Sequence, residues 1–231
     1  TFAFYEELQR RYSNVKVVTW DGPFNYSAIN NYGAEYATGD YYLMLNNDIE
    51  VISPGWMSEM LGYCQREDVG IVGAKLYYSD DTVQHAGVVV GVGGFAGHVL
   101  TRFRKGETGY FGRLVTIQDT SAVTAACMMV DRHAWEAVGG FEEKLAVAFN
   151  DIDFCLRIRQ KGYLVVYEPN AEMYHYESKS RGYEDTPEKQ MRFKSEIDFM
   201  QERWKQFLED GDPYYNPNFS LKTCDYSLKK R

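Results

Sequence analysis

The sequence predicts an α/β domain with a mostly parallel sheet flanked by helices, and three observations carry that expectation. Helical and strand-like periodicities alternate along the chain; the strand candidates are short and apolar, as in VKVVT (15–19), YYLML (41–45) and GIVGAKL (70–76); and turn residues such as DGPFN punctuate them. The 231 residues are 45% hydrophobic and 25% charged, which fits one large or two small globular domains and excludes disorder and collagen-like repeats. With 25 Lys plus Arg against 33 Asp plus Glu, the net charge of −8 argues against a nucleic-acid partner, whose phosphates recruit clustered positive charge. The longest apolar stretch, 86–97, is too short and glycine-rich to span a membrane, and no secretory pattern opens the chain, so the expected location is cytoplasmic. Cys64, Cys127, Cys155 and Cys224 form no CxxC pair and no zinc spacing, and are expected as buried apolar residues rather than a disulfide framework. An aromatic fraction of 16% suits an amphipathic ligand such as a sugar, although core packing explains many of these rings.

In order, residues 1–12 read as a helix and 15–19 as a buried strand, half of an α/β unit. A second helix is expected over 27–37, with Ser27 as N-cap and Gly39 as its stop, followed by the strand 41–45. Ser53 and Pro54 open a helix with Met57, Met60, Leu61 and Cys64 as its apolar stripe, and 70–76 is the next strand. Residues 82–94 combine a strand with a glycine-rich loop that has neither phosphate-cradle pattern; His85 and His98 flank it and are expected to be structural or surface histidines. A strand at 123–130 leads to a helix at 132–138 broken by Gly139 and Gly140, and then NDID enters a helix ending at Gly162. Thr186 and Pro187 start a last helix with the stripe Phe193, Ile197, Met200, Trp204, Phe207 and Leu208. Its polar face mixes both charge signs, which favours packing on this or a neighbouring domain over a membrane surface. The tail beyond Gly211 reads as an extended arm or linker.

In such sheets ligands sit beyond the carboxyl ends of strands. There the sequence places Asn46, Asn47 and Asp48 after YYLML, where oxygens could converge on a ligand or a hard cation; the same residues also make ordinary turns through side-chain to backbone hydrogen bonds. Asp151 falls at a helix N-terminus, where the dipole stabilises a carboxylate and a simple cap would account for it. Asp153 lies two positions on, roughly 200 degrees round the helix, so the two cannot share a site and one of them is expected to be solvent-facing or capping.

The ordered set NNYGAEYATGDYYLMLNND, TAACMMVDRHAWEAVGGFEE and NDIDFCLRIRQKGYLVVYEPNAEMYHYES resembles the family 2 glycosyltransferases of the GT-A fold that build bacterial surface polysaccharides, over residues 14 to 182. The resemblance implies a mixed, mostly parallel sheet, a nucleotide-diphosphate sugar donor, a saccharide or lipid-linked acceptor, inversion, and a divalent metal, Mg2+ or Mn2+. The metal-binding DxD positions would fall on Asn46 and Asp48, a late histidine of the metal shell on His175, and the general base on Asp151. Asn31 and Gly33 match the helix preceding the metal motif, Arg181 would meet the diphosphate, and the strand and VGGF segment before Asp151 would line the pocket, with Trp135 and Phe141 as stacking surfaces or core. Work on lipid-linked acceptors would bring a peripheral contact with the inner face of the cell membrane.

Two departures weaken the match. Asn46 replaces the first DxD carboxylate, and Asn150 stands where a Glu is usual, so a metal would lean more on the diphosphate. The strands that clasp the nucleoside base are expected before residue 1. The expected division is therefore a partial transferase domain at 1–182, followed by an amphipathic helix and arm at 183–231. A non-catalytic sugar-binding or scaffold fragment and a metal-dependent phosphoesterase are the alternatives; the latter needs more acidic or histidine ligands than the sequence assembles.

Overall fold

The computed structural model describes residues 1–176 and 186–230. Helix α1 (Phe2–Arg11) buries none of its residues. The strand expected at 15–19 does not form: those residues pair with no strand among the described residues, and Val17 is exposed. An apolar run becomes a strand only where a partner accepts its backbone hydrogen bonds. Helix α2 (Tyr26–Ala34) starts two residues earlier than expected, because Asn25, not Ser27, caps it by accepting from Ala28 N. Ser27 is buried instead and donates to the Leu145 carbonyl.

Strands β1 (Tyr41–Leu45) and β2 (Ile49–Val51), helix α3 (Trp56–Cys64) and strand β3 (Val69–Tyr77) follow. Trp56, Met60 and Cys64 are the buried face of α3, while Met57 is exposed, a shift of the expected stripe by one residue. The glycine-rich stretch contributes β4 (Val83–His85), β5 (Val88–Val90) and β6 (Ala96–His98), the last two forming a separate hairpin. Then come β7 (Gln118–Asp119), β8 (Cys127–Asp131), α4 (Arg132–Val138), α5 (Asn150–Gln160), β9 (Leu164–His175), α6 (Pro187–Arg203) and α7 (Lys205–Asp210). Gly139, at φ +74, ends α4 in the left-handed conformation that glycine adopts without steric cost.

The main sheet runs β1-β8-β3-β9-β2, with β4 beside β3 and β7 beside β9. It is mixed, as expected, but among the described residues only β3 and β9 pair in parallel; the other pairings are antiparallel, so the mostly parallel expectation fails. Apolar periodicity marks where strands are and not the direction in which they pair. Alternation along the strands splits the core in two. Met128 and Val130 of β8 face α4 and α5, and Cys127 and Met129 face α3. All nine residues of β3 are buried, and a Cβ on Gly73 would lie 2.4 Å from the Val123 Cβ, so the central strand passes too close for a side chain there.

The last helix joins the main core through Met200 and Trp204, so its apolar stripe is covered by this domain. The tail is not a free arm. Tyr215 and Tyr226 are buried in a third cluster with Tyr77, Val89 and Leu100, and Asp212 accepts from Val90 N while Leu221 O and Cys224 O accept from Gly93 N and Leu100 N. The cysteines are free; burial pushes the thiols of Cys64 and Cys127 up to about 12, which leaves them as apolar packing. Among the described residues no helix is long and apolar enough to cross a membrane.

Candidate active site

The carboxyl end of β1, the segment before β8, the start of α5 and the end of β9 meet at one cleft of about 870 Å³, walled on its far side by the β5–β6 hairpin and α6. Backbone pairing brings these segments together. The β1–β8 register sets Leu45 against Cys127, and one residue further Asn46 N donates to the Ala126 carbonyl at 2.9 Å. The neighbouring Ala125 N donates at 3.2 Å to Asp151 Oδ2, whose other oxygen accepts from Ile152 N at 2.9 Å. On the other side, Ile49 pairs with His175 across β2 and β9, which sets Asp48 Oδ1 3.2 Å from His175 Nε2.

Asp48 Oδ1 is buried without a hydrogen-bond partner, since the contact with His175 Nε2 lacks hydrogen-bond alignment. His175 Nδ1 lies 2.8 Å from Gln84 Oε1, so Nδ1 carries the proton and Nε2 presents a lone pair beside the orphaned carboxylate oxygen. Asn46 Nδ2 is 3.4 Å from the same nitrogen. An unsatisfied buried oxygen next to an imidazole lone pair calls for an electropositive centre. Oxygen, nitrogen and a carboxamide are ligand types that Mn2+ or Mg2+ accepts, so Asp48, His175 and Asn46 fit such an ion. Among the described residues no three His, Cys, Asp or Glu side chains cluster into a ready metal cage. A metal here therefore needs further oxygens from its substrate.

Asp151 lines the cleft partly exposed, and its charge, after burial, adds to what raises the Tyr26 hydroxyl, which donates to Ala125 O at 3.0 Å. Of the two aspartates of this helix, Asp153 is neither solvent-facing nor a cap. It is fully buried, accepting from Arg157 Nε at 2.7 Å and Trp204 Nε1 at 3.0 Å. Its side of α5 faces α6 and α7, which fold over what the helix alone would leave to solvent. Asn150 is also buried, its Nδ2 donating to Val147 O at 3.2 Å.

Asn31 lies outside the cleft: its Nδ2 donates to Phe141 O and its Oδ1 accepts from Phe141 N, tying α2 to the loop after α4. A carboxamide that pairs with both groups of one backbone residue is a splint rather than a ligand-binding group. Trp135 and Phe141 are core, packed on each other and on Phe154, so neither is a stacking surface. Thr124, Ala125 and Ala126 line the cleft as expected of that strand, and the VGGF segment does not. Arg181 lies outside the described residues.

Residues that shape the cleft were given no role there by the sequence. Phe149, at φ +61, stacks on Phe193 and packs edge-on against Phe95, and this strained residue directly precedes Asn150 and Asp151. Glu196 accepts from Val147 N at 2.9 Å and Ala148 N at 3.2 Å, holding the same wall from α6. His98 lines the cleft while His85 is buried behind it. Only the histidine pattern offered a signal, and spacing did not tell which ring faces the ligand.

Residues 1–192 match the family model described as "Glycosyltransferase like family 2". An uncharacterized protein of Sinorhizobium fredii is 48% identical over 229 residues, 99% of this chain and 25% of its own length. An O-antigen biosynthesis protein of Myxococcus xanthus is 40% identical over 215 residues, 92% of this chain and 16% of its own length. The chain thus spans a quarter or less of these relatives. The mannosyltransferase of Pyrobaculum calidifontis, solved with GDP-Man and Mn2+, superposes with a TM-score of 0.59 at 13% identity, over 89% of this chain and 51% of that one, a likeness of fold.

Proposed function

The chain belongs to the family 2 glycosyltransferases and has their GT-A fold, and on that premise we propose that it moves a sugar from a nucleotide-diphosphate sugar to a hydroxyl of a saccharide or lipid-linked acceptor in surface-polysaccharide assembly. The observation that carries this reading is that Asp48 and Asp151 reach one cleft from different elements, one beside His175 and the other linked to the β1 end through Ala125 and Ala126. Asp151 is the general base. Its two oxygens are held by Ala125 N and Ile152 N, which fixes the carboxylate while it takes the proton of the attacking hydroxyl. With the base on one side and the leaving diphosphate on the other, displacement at the anomeric carbon inverts it.

Asp48, His175 and Asn46 would hold the divalent ion. When bound, that ion supplies charge neutralisation for the diphosphate as it leaves. No lysine or arginine is among the described residues lining the cleft, so the wall itself offers little positive charge for the task. A phosphoesterase is disfavoured by the same scarcity of ligands, since no cluster of three appears among the described residues. With the stripe of α6 covered by the domain, a peripheral membrane contact would have to use another surface.

The test is turnover by the full-length protein on a panel of nucleotide sugars with Mn2+ and lipid-linked saccharide acceptors. Product formation that Asp151→Asn abolishes while donor affinity survives supports the reading. Transfer undiminished by Asp151→Asn would make Asp151 a helix cap and sink the base assignment.

A further inference from the structure

Strand β4 and the β5–β6 hairpin bring two imidazoles together at the cleft wall. His85, at the end of β4, is fully buried; His98, at the end of β6, is exposed and lines the cleft. Their Nδ1 atoms are 2.7 Å apart, with the rings nearly perpendicular at 84°. At that distance the two nitrogens share one proton, because two lone pairs or two N–H groups facing each other would repel. His85 Nε2 accepts from Thr124 N at 3.4 Å, so the proton of a neutral His85 sits on Nδ1 and points at His98. Burial, followed by the nearby His98 and His175, holds His85 well below the usual histidine range and keeps it neutral. His98 thus accepts on Nδ1, which leaves its own proton on Nε2, the ring nitrogen turned away from His85.

The described wall of the cleft carries the carboxylates Asp48 and Asp151 and no lysine or arginine. A ligand rich in phosphate oxygens meets few donors there, and an imidazole N–H locked in one tautomer is worth more to it than a freely exchanging one. We propose that His98 is a donor-substrate binding residue whose Nε2–H donates to an oxygen of the nucleotide sugar's diphosphate, and that His85 is the positioning residue that fixes its tautomer. The proposal rests on the transferase reading.

The test begins with 15N-histidine NMR of this chain, whose four histidines make assignment tractable. The expected spectrum shows His85 protonated on Nδ1 and His98 on Nε2. Added Mg2+ with UDP, GDP or dTDP, whichever binds, should move the His98 Nε2–H resonance, and the corresponding nucleoside should not. In the full-length enzyme His98→Ala should raise donor KM about tenfold, the loss of one hydrogen bond to a charged group, with a far smaller change in kcat. His85→Phe should let the other His98 tautomer appear and raise donor KM severalfold; His85→Gln serves if the Phe variant does not fold. A His98 found protonated on Nδ1, or a donor KM untouched by His98→Ala in an active enzyme, overturns the proposal and leaves the transferase reading standing. A wild-type enzyme that transfers no sugar, with a His98 resonance indifferent to every nucleoside diphosphate, defeats both.

Discussion

Replacing Asp153 by Ala should cost the fold about 4 kcal/mol. The carboxylate is fully buried and its Arg157 partner nearly so, with 12% of the Arg157 side chain exposed. Removing one member of a buried ion pair costs about 3–5 kcal/mol, because the other charge stays behind uncompensated. Arg157 would keep two carbonyls, Val138 O and Gly140 O, which limits the loss. Against that, Trp204 Nε1 would lose its acceptor in the core, at about 1–3 kcal/mol. The two penalties belong to one network and do not add, so about 4 kcal/mol stands for the whole. For a domain of this size that is a fall of roughly 8–16 °C in Tm, from about 2–4 °C per kcal/mol. Urea unfolding followed by tryptophan fluorescence measures it, with Trp204 as a local reporter. Asp151→Asn is the control two positions away: its amide oxygen replaces only one of the two acceptors that Ala125 N and Ile152 N use, so stability should fall by about 1 kcal/mol, far less than for Asp153→Ala, while turnover falls about 10²–10⁴-fold. An Asp153→Ala midpoint within about 1 kcal/mol of wild type, at unchanged m-value, would refute the reasoning.

Three further outcomes are expected. Manganese-dependent binding of UDP, GDP or dTDP, measured by calorimetry, should disappear in Asp48→Ala; undiminished binding would remove Asp48 from the metal shell. His85 is depressed in the folded state and takes up a proton near 6.5 when unfolded, so its contribution is fully present above that pH and is lost as pH falls below it. Wild-type stability should then drop with a slope of up to about 1.4 kcal/mol per pH unit from this group, and His85→Gln should flatten the urea midpoint against pH below 6.5; equal slopes would contradict the assignment. Gly73→Ala should destabilise by about 1–3 kcal/mol through overpacking against Val123, and a thermal melt unchanged from wild type would show that the strand gives way.

Much of the architecture was legible because local signals agreed. The strand YYLML, the Gly139 stop and the Thr186 cap all lie where period and punctuation place them. What failed depended on partners distant in sequence. Residues 15–19 have a strand's composition and, among the described residues, no strand beside them, and the sense of each pairing follows from crossovers that periodicity does not encode. Asp48 stood out in the sequence at a strand's carboxyl end and Asp151 at a helix N-terminus, and the resemblance added His175; that all three line one cleft follows from the β2–β9 register and the Ala125 link. The burial of Asp153 and the bracing role of Asn31 were illegible for one physical reason. A polar side chain on a short motif looks ligand-binding or solvated until the element that covers it, α6 with α7 in one case and the loop at Phe141 in the other, is in place.

The tail's attachment to the hairpin has a consequence for synthesis. Val90 and Asp212 are 122 positions apart, and Leu100 waits for Cys224. At about 5–20 residues per second, a ribosome needs roughly 6–24 s to travel from one partner to the other. Throughout that interval the nascent chain holds Asp48 and then Asp151, but the wall that carries His98 lacks the bonds from the tail. The cleft therefore closes last, and a polypeptide cut short before Asp212 would keep most of the sheet yet lack the fastening that holds that wall.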